Sequence, residues 1–562
     1  MQMFSSRLTR CLLTTATLFF LMVSFSYADI KYYVSASVGD DDNDGLSMSS
    51  PWATLARVNK TQLVAGDTIY FKAGDSFAGQ LLIDESGMLD APIHFTAYGD
   101  GDAPIIDGSA GSDGSELAAI LVIDQDHIEI SNLTIRNFRK QSKANIPDVD
   151  AYGILIKNTG KRTLSGFQLH HLTVEEIYPI RARRSFNKTS VSAIRFETDS
   201  AKAKYSAVNT RDIHIHNNFI RHTARFGIAL RHRPSRITGI TNTELDYNVN
   251  VRITNNHCED TGGSCVLMNG IWQGLLESNT FIRSGAMVEP SLSVNRGSGA
   301  WFFRSKHIVA QHNRAYGSRG HNDSAGIHVD YGNENILVQY NFSHDNEGYG
   351  TEILGKNKNI IWRYNISAGD GTRRVNIERP EGGTSNFPGK TIFVSDFSVP
   401  ERIQSREVFI YNNTYLITSG SDPYIEFNGE QVQLLNNLFV VEAGASLAKK
   451  LNLSWQQGEA LDMRGNAFAG NVSPNFIRLD IQPLVIELAF KGNTTDPLSF
   501  AVGIDWLQSF TAVTPLQHPS FPAAGKGIFS HVSAVPTTDY FGNPLASKSN
   551  LVGAGYQASG PQ

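Results

Sequence analysis

Residues 320–376 hold two copies of one pattern. Gly326-Ile-His-Val-Asp330 returns as Gly350-Thr-Glu-Ile-Leu354, and Asn335-Ile-Leu-Val-Gln-Tyr-Asn341 returns as Asn359-Ile-Ile-Trp-Arg-Tyr-Asn365, both offset by 24 residues. Periods of this size belong to solenoids, in which each repeat buries its apolar side only against its neighbours. The unit is too short for two helices. Its apolar residues alternate with polar ones between Gly and Asn turns, the pattern of short strands. One repeat is therefore read as one coil of a parallel β-helix, with roughly ten to thirteen coils in all.

Asn recurs after the apolar strand of successive coils, at Asn132, Asn218, Asn256, Asn279, Asn313, Asn341, Asn365, Asn413, Asn437 and Asn466. Asn tolerates a left-handed turn and bonds its own backbone, and stacked copies can bond one another, so the column reads as structural. Longer intervals mark insertions around 182–211, 232–250, 285–298 and 379–405, and loops on a rigid scaffold are where sites are built. The repeat fades near residue 470. The expected division is a signal peptide over 1–28, the β-helix over 29–470, and an irregular cap over 471–562 that continues the same domain and covers the last open edge.

Strand side chains alternate faces. If Ile327 and Val329 point inward, His328 and Asp330 point out; in the next coil Thr351 and Ile353 point in and Glu352 points out beside His328. Asp323 and Glu347 fall in register with one another. Residues 320–355 carry six Asp or Glu and no Lys or Arg, after which come Lys356, Arg373 and Arg374. An outer face that gathers His, Asp and Glu beside basic residues suits the cleavage of a polymer.

Charge points to the kind of polymer. The net charge is −5, yet between Arg181 and Arg236 thirteen Lys or Arg stand against three Asp or Glu. A basic zone on an acidic protein suggests an anionic ligand, and Arg221, Arg225 and Arg231 are the candidate binding residues, with Arg183 and Arg184 in an irregular insertion. Residues 1–28 have the charged, apolar and small-x-small regions of a secretory signal, ending at Ser26-Tyr27-Ala28, which predicts a periplasmic or secreted protein. No other apolar run is long enough to span a bilayer. An acidic polysaccharide fits that compartment better than nucleic acid does, and the solenoid is expected to be a monomer. Cys258 and Cys265 flank Gly262-Gly263; a bridge and two buried thiols both remain open.

The opening, with its Asp/Gly-rich 39–45 and Val64-Ala-Gly-Asp-Thr-Ile-Tyr-Phe-Lys-Ala-Gly74, resembles the start of secreted right-handed parallel β-helix proteins of the pectin-lyase-like superfamily. Asp539-Tyr-Phe-Gly-Asn-Pro-Leu545 and Leu551-Val-Gly-Ala-Gly-Tyr556 resemble their tail. The resemblance implies an all-β single right-handed parallel β-helix solenoid with loop insertions and a C-terminal cap, and a polysaccharide-degrading activity of unspecified chemistry. Glu352-Ile-Leu-Gly-Lys356 is similar to the Glu-Ile-x-x-x-Lys segment of the chondroitinase B and alginate lyase family. There the Glu binds calcium, the Lys is the base and an Arg follows one coil later. The gap to Lys is one residue shorter here, and Gly350 stands where that family has a second Glu.

Three functions follow. A lyase acting by β-elimination on a uronate polymer is the leading one: Lys356 or His328 takes the proton, and Glu352 with Asp330 or Asp323 handles the substrate carboxylate through Ca²⁺ or by holding Arg374. Asp323, Glu347 and Glu352 are the metal candidates, and Arg373 joins the substrate-binding set. The alternative is a glycoside hydrolase with paired carboxyl groups, Asp323 with Glu347 or Asp330 with Glu352. The third is a non-catalytic binding or adhesive solenoid.

Overall fold

In the computed structural model the protein is a right-handed parallel β-helix. The structure describes residues 29–111, 114–182, 190–202, 208–233, 243–286, 289, 291–376, 385–453, 461–487, 519–545 and 552–555. The expected signal segment 1–28 and Arg183 and Arg184 lie outside them.

Each coil gives one strand to each of three parallel sheets. The coil Glu334–Gln339, Phe342–His344, Tyr349–Ile353 shows the order: first, second, then third sheet. The first and second sheets have 14 strands and the third has 12. The copied segments stack in the expected register, Ile336 on Ile360, Val338 on Trp362 and His328 on Glu352. Ile327, Val329 and Ile353 join the central core with Ile336, Ile360 and Val338. Thr351 also points inward, where its hydroxyl meets that of Tyr415 at 2.8 Å.

The Asn column is a continuous buried ladder from Asn218 to Asn466. Each side-chain amide donates to the side-chain oxygen of the next, at 2.9–3.0 Å, and Asp480 receives the last at 2.7 Å. Each rung also accepts from the backbone N–H of the Asn before it, as Asn365 does from Asn341. The column satisfies buried backbone groups where the chain turns between the first and second sheets. Two details differ from expectation. The left-handed residue is the one before each ladder Asn: Asn217, Asn255, Ser278, His312, Tyr340, Tyr364, Asn412 and Asn436 all have φ between 50° and 57°. Asn132, at φ 57°, belongs to that preceding position and bonds Thr96 Oγ1 instead.

The C-terminal region caps one end and clasps one side. Pro474–Ile477 forms a short helix whose buried Phe476 packs edge-on to Phe439 and Phe468 at the end of the core. Beyond this helix the tail runs along the outside of the first sheet, where Phe521, Phe529 and Val532 cover outward Val309, Leu337 and Ile361, and Tyr540 and Phe541 reach the outward side of the second sheet in the cluster of Leu438, Ala467 and Leu484. Those positions are apolar because the tail buries them. Cys258 and Cys265 are joined by a buried disulfide, Cα–Cα 5.9 Å. Among the described residues no helix is long and apolar enough to cross a membrane.

Candidate active site

The outward column of the third sheet runs Arg195, Ala229, Leu267, Trp301, His328, Glu352, Phe393 and Glu426, one residue per coil. Alternation places His328, Asp330 and Glu352 on the outer face, as read from the sequence, but they are not in open solvent: Glu352 is 1%, His328 2% and Asp330 6% exposed. Two segments cover them. One precedes Trp301 and brings Arg296, whose guanidinium grips Asp323 with two bonds, 2.7 and 3.0 Å. The other leads from the second sheet to Lys390–Val394 and brings Arg373, which donates to the Asp323 carbonyl at 2.5 Å, and Ser385, which donates to the His321 carbonyl at 2.6 Å.

Three carboxyl groups meet around one imidazole. One ligand atom each from Asp323, His328 and Glu352 lie within 4.8 Å of one another, and His328 Nδ1 is 3.6 Å from Glu352 Oε2. The indole of Trp301 lies parallel to the His328 ring, and its N–H donates to Asp330 at 2.7 Å; the Tyr331 N–H donates to the other Asp330 oxygen at 2.8 Å.

Their environments push the three acids apart. Burial raises Asp330 above the ordinary carboxylate range, and the charge of Asp323 adds to it, against the His328, Tyr331 and Trp301 contacts. Burial pushes Glu352 up much further, reinforced by Asp323 and Asp330 and only partly opposed by Arg373 and Lys390. Burial acts on Asp323 in the same sense, but Arg296, His328 and Arg373 outweigh it and hold Asp323 below its usual range. The surroundings thus favour the charged form of Asp323 and the neutral form of Glu352.

Beside this cluster the third sheet carries a groove of about 830 Å³. Trp301, Asp330 and Arg296 line one end, Arg195, Arg225 and Arg231 the middle, and Leu117, Leu155 and Lys157 the other end. Phe303, Tyr331 and the exposed Phe397 and Val399 make an apolar wall.

Several residues stand elsewhere than expected. Phe393, not Arg374, follows Glu352 in the next coil, because the chain inserts a long segment between Ala368 and Lys390. Arg374 is exposed and donates to the Gly420 carbonyl at 2.9 Å, beside a separate cleft with Tyr424 and Lys449. Lys356 is exposed on the turn that leaves the strand, φ 55°, with no hydrogen bond or ion pair to the cluster among the described residues. Of the residues expected for elimination, Lys356 and Arg374 thus stand apart from Glu352, while His328, the other expected proton acceptor, lies beside it. Arg221 belongs to the second sheet, where it and Arg136 clamp Glu175. Arg225 and Arg231 do share the face of His328.

Of the expected calcium set, Asp323 and Glu352 converge, with one ligand atom of each and of His328 within 4.8 Å of one another, while Glu347 accepts from the Gly320 N–H at 2.8 Å and lies 3.6 Å from Arg373. Asp323 is also gripped by Arg296. Calcium takes about six to eight oxygen ligands, more than these two carboxyl groups supply.

Arg296 and Trp301 were not singled out from sequence as site residues, though a signal exists. Arg296/Trp301, Asp323/His328 and Glu347/Glu352 are each five residues apart, in three successive coils.

No protein-family model matches the chain. A lacto-N-biosidase of Bifidobacterium longum subsp. longum is 25% identical over 518 residues, covering 79% of this chain and 30% of that protein. The chain thus spans under a third of the curated relative it matches. A crystal structure of a GH136 lacto-N-biosidase from Eubacterium ramulus, a selenomethionine derivative, aligns with a TM-score of 0.50 at 19% identity, covering 82% of this chain and 68% of that one. It shares the fold.

Proposed function

We propose that the protein is a glycoside hydrolase that cleaves a glycan held along the groove of the third sheet, with Asp323 and Asp330 as its two working carboxyl groups. The observation that carries this reading is the opposite displacement of two neighbouring acids, of which Asp330 lines one end of an aromatic-walled groove and Asp323 is held by Arg296, which lines it too. Glycosidases need one carboxyl group that keeps its proton and one that stays charged, and a pair driven apart by its surroundings marks the two roles. Asp330 is biased towards the acid and donates its proton to the departing glycosidic oxygen. Asp323, kept as a carboxylate by Arg296, faces the positive charge that builds at the anomeric carbon. Water supplies the hydroxyl to that carbon and returns the proton. Glu352 stands beside His328 in the same outward column, and its burial favours the neutral form. The likeness to a lacto-N-biosidase supports hydrolysis over elimination.

The test is to replace Asp323 and Asp330 singly by Ala and assay β-linked oligosaccharides. Each change should cost on the order of 10²–10⁴-fold in kcat. New reducing ends should appear without an unsaturated, ultraviolet-absorbing sugar. Added azide should restore turnover in the variant that has lost its charged carboxylate, Asp323→Ala; rescue of Asp330→Ala instead would exchange the two roles. Full activity in either variant, or an unsaturated product, would reject the hydrolase.

A further inference from the structure

The groove is unevenly charged. Its lining contains six Lys or Arg and three Asp or Glu. Arg195, Arg225 and Arg231 occupy two consecutive coils in its middle, separated from Trp301 by the coil of Leu267. Arg195 stacks on Ala229 in the next coil, which Phe226 and Leu267 cover. Arg231 stands two residues beyond Ala229 on the same face. Arg225 precedes that strand and lies over the ring of Phe226 at 4.4 Å. Within this stretch Glu197 is shared, 3.6 Å from Arg195 and 3.7 Å from Arg233, which also reaches Asp199. Two carboxylates among the four guanidinium groups of Arg195, Arg225, Arg231 and Arg233 leave positive charge along the groove.

We propose that the Arg195, Arg225 and Arg231 stretch of the groove is a subsite for an oxyanion substituent of the glycan, a uronate carboxylate or a sulfate ester. The inference rests on the hydrolase reading for the bond cleaved at Asp330, and it adds where that substrate carries its charge. Arg195 and Trp301 are three coils apart in one column, roughly 14 Å at a strand spacing of about 4.8 Å. The charged unit therefore lies a few sugar rings from the cleaved bond. The forked guanidinium matches the oxygens of carboxylate and sulfate alike.

The electrostatics of the empty groove agree. Burial, and then the charges of Arg195 and Arg231, bring Arg225 down to about 9, and Arg231 is lowered by burial, Arg195 and Arg233. Such crowding is unfavourable in the free protein and is relieved by a bound anion. The apolar wall of Phe303, Tyr331 and Phe397 supplies the opposite surface, against which the flat apolar face of a sugar ring packs.

The test uses matched pairs of β-linked oligosaccharides that differ by one sulfate or by one uronate carboxylate. In the intact protein the charged member should be favoured about tenfold or more in kcat/KM, since a charge-assisted hydrogen bond is worth about 1.5–3 kcal/mol, and added salt should narrow the preference. Arg231→Gln should remove most of it, and Arg231→Lys part of it, because Lys keeps the charge and loses the fork. Whichever pair shows the preference names the substituent. Equal rates on both members, with a ratio that Arg231→Gln leaves alone, would overturn the subsite while the hydrolase stands. Tighter calorimetric binding of charged members to the intact protein than to Arg231→Gln, with no member hydrolysed, would uphold the subsite and defeat the hydrolase.

Discussion

Trp301 lies parallel to His328, with ring centroids 5.7 Å apart and planes 6° from parallel, and the same indole donates its N–H to Asp330 at 2.7 Å. One side chain thus covers the imidazole and fixes the acid two residues beyond it. Trp301→Phe keeps much of the stacking surface and removes the donor. Activity should fall on the order of tenfold. A hydrogen bond to the charged form lowers a pKa, so its loss should raise that of Asp330 further. If Asp330 is the acid, the basic limb of the pH profile of kcat/KM should move to higher pH; a limb that stays in place would deny it that role.

Arg296→Met should destabilise the fold. It leaves the Asp323 charge buried without its bidentate partner, a loss that costs about 3–5 kcal/mol in buried pairs. Arg296 is 32% exposed, which places this one near 3 kcal/mol or below. The folded-state pKa of Asp323 is depressed, so the stability it contributes is present above the ordinary Asp value and lost as pH falls through the lowered one. Urea midpoints of the two proteins should therefore converge in acid.

Glu352 is displaced the other way, and the consequence is opposite. Its stabilising contribution is full below the ordinary Glu value and is lost as pH rises towards the elevated folded value. Glu352→Gln removes that dependence with almost no change of shape. The variant should match the parent in weak acid and melt at progressively higher temperature than the parent as pH increases. A constant difference in Tm across that range would show that Glu352 is not protonated in the folded state.

Asn341→Ala breaks the ladder at mid-length. It strands the Asn313 amide and the Ala310 and Gln339 carbonyls that Asn341 serves. Unsatisfied buried groups cost about 1–3 kcal/mol each, and partial relaxation should leave a net loss of roughly 3 kcal/mol. Asn132→Ala, outside the ladder and exposed, should cost less, about 1 kcal/mol, chiefly because Ala tolerates the left-handed φ of 57° less well than Asn. Denaturant unfolding with an unchanged m-value would measure both.

What was legible in the sequence followed from periodicity. A period of two put Ile327 and Val329 inside and His328 outside without reference to anything distant, and an uninterrupted 24-residue copy put His328 beside Glu352. The same reasoning failed for Arg374 because an inserted segment breaks the count: the next rung after Glu352 is Phe393, and distance along the chain carries no register across a loop. Asn132 was placed one position off, because Asn suits both the ladder and the left-handed position before it. Burial was the larger miss. Alternation says which way Glu352 points, but only Arg296 and Arg373, folded over from insertions, exclude water and set its charge. Leu337 and Ile361 likewise read as ordinary strand residues, since nothing local announces a cover that arrives from 160 or more residues away.

That cover changes how the molecule comes apart. Stacked coils touch only their neighbours and can unravel from an end one turn at a time. Here the tail returns to coils far upstream of the last one. Tyr340 Oη donates to the Thr538 carbonyl, Arg363 to the carbonyls of Ser533 and Ala534, and His531 meets Glu277 at 3.0 Å. The tail is thereby tied to the turns that build the Asp323, His328 and Glu352 cluster, and peeling cannot begin at that end until the tether lets go. A linear array becomes, in its connectivity, a closed loop, and the integrity of the cluster becomes hostage to a strand of chain that never touches it.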